Sequence, residues 1–218
     1  MKVLGVLGGM GPAATLDFLA KLQAATPAAS DQDHIRVLMD LNPQVPDRNL
    51  GGGAAGPVLA GMAVRLRDTG AQVLAMPCNT AHLHAEEIQA ASALPLIDLI
   101  DVAIAAVGDA RRVGVLGTSL AIGIYRDRLQ ATGKTPVLPT QEAQAAFMDI
   151  LYRIKSGDTG PTARALMAAC AGGLERLGAD AIIAGCTEVP LVLSAADLAV
   201  PLIDGAAELA KACVAACR

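Results

Sequence analysis

The 218-residue sequence predicts an α/β fold of two pseudosymmetric αβα lobes with parallel sheets, on three observations. Short runs rich in Val, Ile and Leu alternate with longer Ala- and Leu-rich amphipathic stretches, the order that builds a parallel sheet flanked by helices. The short runs are apolar throughout, as strands covered on both faces must be. The chain also repeats itself. "GVLGG" begins at Gly5 and "GVLGT" at Gly114, while "VLAMPC" ends at Cys78 and "IIAGC" at Cys186, so two independent landmarks recur after about 108 residues. Each cysteine-ending run follows a Gly-Ala turn, "DTGAQ" at Asp68–Gln72 and "RLGAD" at Arg176–Asp180.

In chain order, strands are expected at Val3–Leu7, Arg36–Leu41, Val73–Met76, Leu96–Ile97, Val113–Leu116, Pro136–Leu138, Ala181–Ala184 and Leu202–Ile203. Helices are expected at Pro12–Ala24, Gly56–Thr69, Thr80–Ala91, Asp98–Ala106, Ile122–Thr132, Gln141–Ile154, Thr162–Leu177 and Ala206–Cys217. The repeat places the first lobe at 1–97, completed by a returning helix at 205–218, and the second at 98–204. "NLGGGAAGP" at Asn49–Pro57 reads as a flexible glycine loop suited to a mobile flap.

Composition narrows the function classes. A net charge of −4 and basic runs no longer than Arg111-Arg112 argue against a nucleic-acid binder. Hydropathy is high, with 53% hydrophobic residues, but the apolar runs are broken by Gly, Pro, Asp or Arg well before the roughly 20 residues of a membrane span. The opening "MKVLGVLGGMGP" is too glycine-rich for a signal peptide and reads as a strand, so the cytoplasm is the expected compartment. Five cysteines without a CxxC pair suit reduced thiols better than a disulfide framework. Cys170, Cys213 and Cys217 lie in expected helices and read as small buried hydrophobes.

Cys78 and Cys186 differ, because each stands where a buried strand gives way to a polar turn. Ligands of open parallel sheets bind outside the carboxyl ends of the strands. Gly9-Met10-Gly11-Pro12, Cys78-Asn79-Thr80, Thr118-Ser119 and Cys186-Thr187-Glu188 each follow an expected strand directly, so all four belong on that edge. Two lobes facing each other about a pseudo-twofold would put both thiols on one inter-lobe cleft. Such a pair suits inversion of a carbon bearing an acidic hydrogen, one thiolate removing the proton and one thiol returning it to the other face. Free thiols titrate near pH ~8.5, and helix N-termini lower that value. Asn79, Thr80 and Thr187 are placed to donate hydrogen bonds to a substrate carboxylate, which also gains from helix N-terminal amides.

"GVLGGMGPAAT", "NPQVPDR", "MPCNTAH", "GCTEVPL" and "VPLID", in this order across nearly the whole chain, resemble the cofactor-independent aspartate/glutamate racemase family. The resemblance implies two pseudosymmetric lobes, a homodimer, a small amino-acid or dicarboxylate substrate, no cofactor, and Cys78 and Cys186 as the two acid/base catalysts. It implies further that Arg48 binds a substrate carboxylate, that Asp47 and Glu188 assist the thiols, and that Met10, Gly11 and Thr118 line the pocket. Lys155, in "RIKSGD", is implied as a second positive charge for the substrate. The sequence departs from the family pattern at Ala13, at Ser119 after "GVLGT", and at Gly205–Ala210 after "VPLID". The missing hydroxyls leave a less polar or larger amino acid open beside aspartate.

Other readings compete. Gly9-x-Gly11-x-x-Ala14 followed by Asp40 on the next strand formally fits a dinucleotide fingerprint, but leaves the paired cysteines unexplained. Cys78, His82 and His84 evoke a metal site without a second ligand cluster, so no metal is expected; His82 reads instead as capping or packing near the pocket. A pyridoxal enzyme would need a Schiff-base lysine, and the five lysines here sit in unremarkable contexts. A maleate isomerase-like or arylmalonate decarboxylase-like enzyme is the nearest enzymatic alternative, and a non-catalytic amino-acid-binding module the alternative from another class.

Overall fold

Eight parallel strands among the described residues divide equally between two sheets with the same strand order. The computed structural model describes residues 1–50 and 53–218, so the expected flap at 49–57 lies partly outside the described residues. The chain forms two units, Met1–Val102 with Ala206–Arg218, and Ala103–Gly205. None of the helices is long and apolar enough to cross a membrane among the described residues.

In the first unit β1 (Leu4–Gly8), β2 (Val37–Leu41), β3 (Val73–Ala75) and β4 (Leu96–Ile97) lie in the order β2-β1-β3-β4. The helices are α1 (Pro12–Ala25), α2 (Ala55–Asp68), α3 (Ala85–Ser92), α4 (Leu99–Ala106), which runs across the unit boundary, and the returning α8 (Gly205–Cys217). In the second unit β5 (Arg112–Gly117), β6 (Thr135–Val137), β7 (Ala181–Gly185) and β8 (Leu202–Ile203) repeat the order as β6-β5-β7-β8. Its helices are α5 (Ser119–Ala131), α6 (Gln141–Lys155) and α7 (Pro161–Arg176). From β1 the chain crosses outward to β2, and from β3 it continues to β4 on the other side. The strand order therefore reverses between β1 and β3, and equivalently between β5 and β7, and ligands of open α/β sheets bind at the carboxyl ends of such a switch point.

The central strands β1, β3 and β7 are buried throughout, which explains their unbroken apolar sequence. The edge strand β2 is partly exposed, and the edge strand β6 accommodates Pro136 because an edge position leaves no ladder donor missing. With aromatics at 2% of the chain, aliphatic side chains and Met do most of the packing. Leu59, Met62, Leu66, Leu74, Met76 and Ile88 form the core under α2 and α3; Phe147, Leu151, Met167, Leu174 and Ile182 form its counterpart under α6 and α7. A third repeat marks the correspondence: Pro-Leu-Ile-Asp recurs at 95–98 and 201–204, each time covering a short edge strand and the residue before a helix. Asp98 caps α4, its Oδ1 accepting from the amides of Ile100 at 2.8 Å and Asp101 at 3.2 Å.

The helix expected at Thr80–Ala91 is in fact two pieces, a 3₁₀ turn over Thr80–His84 and then α3. The cause is a side chain. The carbonyl of Cys78, which a regular α-helix would pair with the amide of residue 82, is taken by the His82 ring, and the His82 amide donates to Asn79 instead. Helix α5 begins at Ser119, three residues earlier than the apolar pattern indicates, because the Thr118 hydroxyl accepts from the Ala121 amide at 3.2 Å and caps it.

Candidate active site

In the first unit, two loops at the switch point carry the candidate residues. After β1 the backbone turns at Gly9, whose φ of +96° belongs to the left-handed region and whose missing side chain would lie 2.4 Å from the Asn42 backbone. The Gly9 amide donates to Thr15 Oγ1 at 2.9 Å. Met10 is buried, and Gly11 opens α1 with Pro12 in its first turn. Arg48 reaches back to this loop, its Nη2 donating to the Met10 carbonyl at 3.4 Å and its Nη1 to Pro46 at 3.1 Å and Val45 at 3.4 Å. Its Nε is buried with no hydrogen-bond partner among the described residues, so of the five guanidinium N–H groups Nε–H and the second N–H of Nη2 remain for an anion. Asp47 Oδ1 accepts from the backbone and side-chain nitrogens of Asn49, at 2.8 and 3.0 Å, which shapes the same loop. Asp40, the acidic residue of the dinucleotide reading, is bound to Arg65 at 2.8 Å.

After β3, Pro77 bends the chain so that the Cys78 amide donates to the Met76 carbonyl at 2.8 Å, a three-residue turn. Cys78, Asn79, Thr80 and His82 are all buried. The His82 ring ties this turn to another element. Nε2 accepts the Leu99 amide at 3.1 Å, so Nδ1 carries the proton and donates to the Cys78 carbonyl at 2.9 Å. Both ring nitrogens are thereby engaged by backbone groups. Among the described residues no group of three or more His, Cys, Asp or Glu side chains is arranged to hold a metal ion.

The second unit carries the second thiol in a more elaborate setting. Thr118 is buried at the end of β5, and Gln144 Nε2 on α6 donates to the Gly117 carbonyl before it at 2.9 Å. After β7, Cys186, Thr187 and Glu188 are buried in succession. The Cys186 thiol donates to Glu188 Oε2 at 2.9 Å. The other oxygen, Oε1, accepts from Lys155 Nζ at 2.5 Å. Burial pushes the Cys186 thiol well above the usual thiol range, the Glu188 charge pushes in the same direction, and the Lys155 charge opposes it. Burial and the Glu188 charge thus both favour the protonated form of Cys186, the form that donates to Glu188.

The sequence pattern of the Asp/Glu/Hydantoin racemase family matches residues 7–213. The chain belongs to this family. It is an isomerase of the racemase type. Over 221 residues it is 31% identical to the broad specificity amino-acid racemase RacX of Bacillus subtilis, a match covering 97% of this chain and 96% of that one. The aspartate racemase of Picrophilus torridus is 29% identical and superposes with a TM-score of 0.89, covering all of this chain and 94% of that one. A glutamate racemase from Francisella tularensis, at 20% identity, 99% coverage of this chain and 80% of that one, shares the fold with a TM-score of 0.76.

Within each unit of this racemase, the structure gathers residues far apart in sequence. Arg48, Asp47 and the Met10 loop meet in the first unit; Cys186, Glu188 and Lys155 meet in the second. The link from Lys155 to Glu188 is not legible in the sequence, where 33 positions separate them and Lys155 looks like any helix-terminal lysine. Two further residues fix the loops after β1 and β5: Thr15, which ends the motif "GVLGGMGPAAT" without being singled out as a site residue, and Gln144, which no motif marks. The only clue to Gln144 is its place at the first turn of a helix following a strand end.

Proposed function

We propose that this racemase inverts the α-carbon of free amino acids without a cofactor, using Cys78 and Cys186 as its two acid–base groups. The observation that carries the reading is that equivalent strand ends, after β3 and β7, each present a buried thiol followed by side chains able to hydrogen-bond a carboxylate. One thiolate takes the α-proton, the electron pair of the broken C–H bond stays on the α-carbon, and the other thiol delivers its own proton to the opposite face. The thiols exchange protonation states in each turnover, so the product-side enzyme is poised for the reverse reaction. Asn79, Thr80, Thr118 and Thr187 hold the substrate with Met10 and Gly11, and Arg48 faces a carboxylate with its two remaining N–H donors. Asp47 and Glu188 assist the thiols.

An amino-acid substrate accords with the breadth of the Bacillus subtilis relative and with the weakened resemblance to the aspartate pattern at Ser119 and Gly205–Ala210. The protein works as a homodimer in the cytoplasm, where its five free cysteines stay reduced. The test is proton NMR in D2O with a panel of L- and D-amino acids and no added cofactor. Loss of the α-proton signal, with the opposite enantiomer seen by chiral chromatography, is the expected result for several uncharged or long side chains. Exchange of no amino acid, with conversion of a dicarboxylate such as maleate, would overturn it.

A further inference from the structure

We propose that Lys155 is a positioning residue that acts through Glu188 on the Cys186 thiol, and is not an anchor for a substrate carboxylate. The geometry is a linear chain in which each oxygen of one carboxylate has a different task. Oε2 accepts the Cys186 S–H at 2.9 Å, and Oε1 accepts Lys155 Nζ at 2.5 Å. Glu188 is 2% exposed and Cys186 7%, so the carboxylate and the thiol are both withdrawn from water and from screening by salt. Lys155 is the last residue of α6, and its side chain reaches inward to the loop after β7. A carboxylate buried beside a thiol with no counter-charge would face a steep cost whenever the thiol ionised, because two anions would share one dry site. The ammonium offsets part of that cost while fixing which oxygen meets the sulfur. Cys186 then yields its proton to a carbanion, or accepts one as thiolate, beside a neutralised pair.

The charged groups that face Cys186 are Glu188, which opposes ionisation, and Lys155, which favours it. Removing Lys155 therefore makes the thiolate harder to form, and removing the Glu188 charge makes it easier. Burial acts in both variants and keeps the thiol above the range of a solvated cysteine.

The inference takes Cys186 as an acid–base group of the proposed racemisation, and its test reads the thiol with no substrate present. Iodoacetamide alkylates the thiolate, so the rate of Cys186 modification at one fixed alkaline pH, read by peptide mass spectrometry, follows thiolate content. Lys155→Gln is expected to slow that rate about fivefold or more, Lys155→Arg to leave it within about twofold, and Glu188→Gln to accelerate it about fivefold or more, since each pKa unit changes thiolate content roughly tenfold. Glu188→Gln reads the same contact from the other side should the Lys155→Gln chain fail to fold. Modification of Cys170 in α7 serves as the internal reference. Equal Cys186 rates in the wild type and the charge-removing variants would overturn the proposal. In turnover, Lys155→Gln should lower kcat and move the pH profile of one enantiomer to higher pH with little change in KM. A carboxylate anchor would instead raise KM for both enantiomers and leave the alkylation rate unmoved. Shifted alkylation rates in a protein that exchanges no α-proton would leave the relay standing and remove the reaction.

Discussion

Substituting serine for Cys78 or Cys186 is expected to abolish racemisation in both directions, lowering kcat by about 10³-fold or more, the scale of a lost acid–base group. A hydroxyl holds its proton far more tightly than a thiol, so serine neither removes an α-proton nor survives as the conjugate base after giving one up. The change is nearly isosteric, and Cys186→Ser keeps a hydroxyl to donate to Glu188, so the effect falls on proton transfer rather than on packing. The two variants should differ in a specific way. Each retains the thiol for one face of the substrate and so still exchanges the α-hydrogen of one enantiomer with D2O, and that enantiomer is opposite in the two variants. The double variant exchanges neither. Chiral chromatography and α-proton NMR on the three proteins check this, and full activity in either single variant would remove the two-thiol reaction.

The second large effect is expected at His82, which touches no substrate in this account. Its ring satisfies two buried backbone groups at once, the Cys78 carbonyl and the Leu99 amide. His82→Ala leaves both without partners, at about 1–3 kcal/mol each. The removed ring also leaves a cavity beside Ala81 and the first turn of α4. A loss of roughly 3 kcal/mol lowers the melting temperature by on the order of 10 °C for a chain of this size. The Cys78 turn loses the contact that holds its carbonyl, so activity should fall well beyond the loss of folded protein. His82→Asn, which keeps a donor and an acceptor on a shorter side chain, should recover part of both. Thermal unfolding with activity measured on the folded fraction checks this; a His82→Ala protein with wild-type melting and activity would show that the ring positions nothing.

Much of the fold was open to reading because it rests on signals carried by single segments. Buried parallel strands need continuous apolar residues, and β1, β3, β5 and β7 show them. The recurrence of a glycine-led strand and of a cysteine at a strand end points to two similar lobes, while the strand order within each sheet comes only with the structure. What stayed hidden depends on contacts between segments. The break of the expected helix at Thr80–His84 comes from a histidine ring competing for one carbonyl, a bond that helical periodicity cannot reveal. The early start of α5 is legible in Thr118 as a capping residue, although the resemblance marks this threonine only as a pocket group. The resemblance marks Lys155 for the substrate, and the fold turns it toward Glu188, because the end of α6 and the loop after β7 converge only in three dimensions.

The central claim is that the proton leaving one face of the α-carbon is not the proton arriving at the other. It is tested by incubating wild-type protein in D2O with one protiated enantiomer of an accepted amino acid and analysing both enantiomers at low conversion. Two thiols predict a product enantiomer carrying deuterium at the α-carbon from the first turnovers, while the unreacted enantiomer keeps its protium. Protium carried from substrate into product would mean that a single group removes and returns the same proton, and would contradict the account.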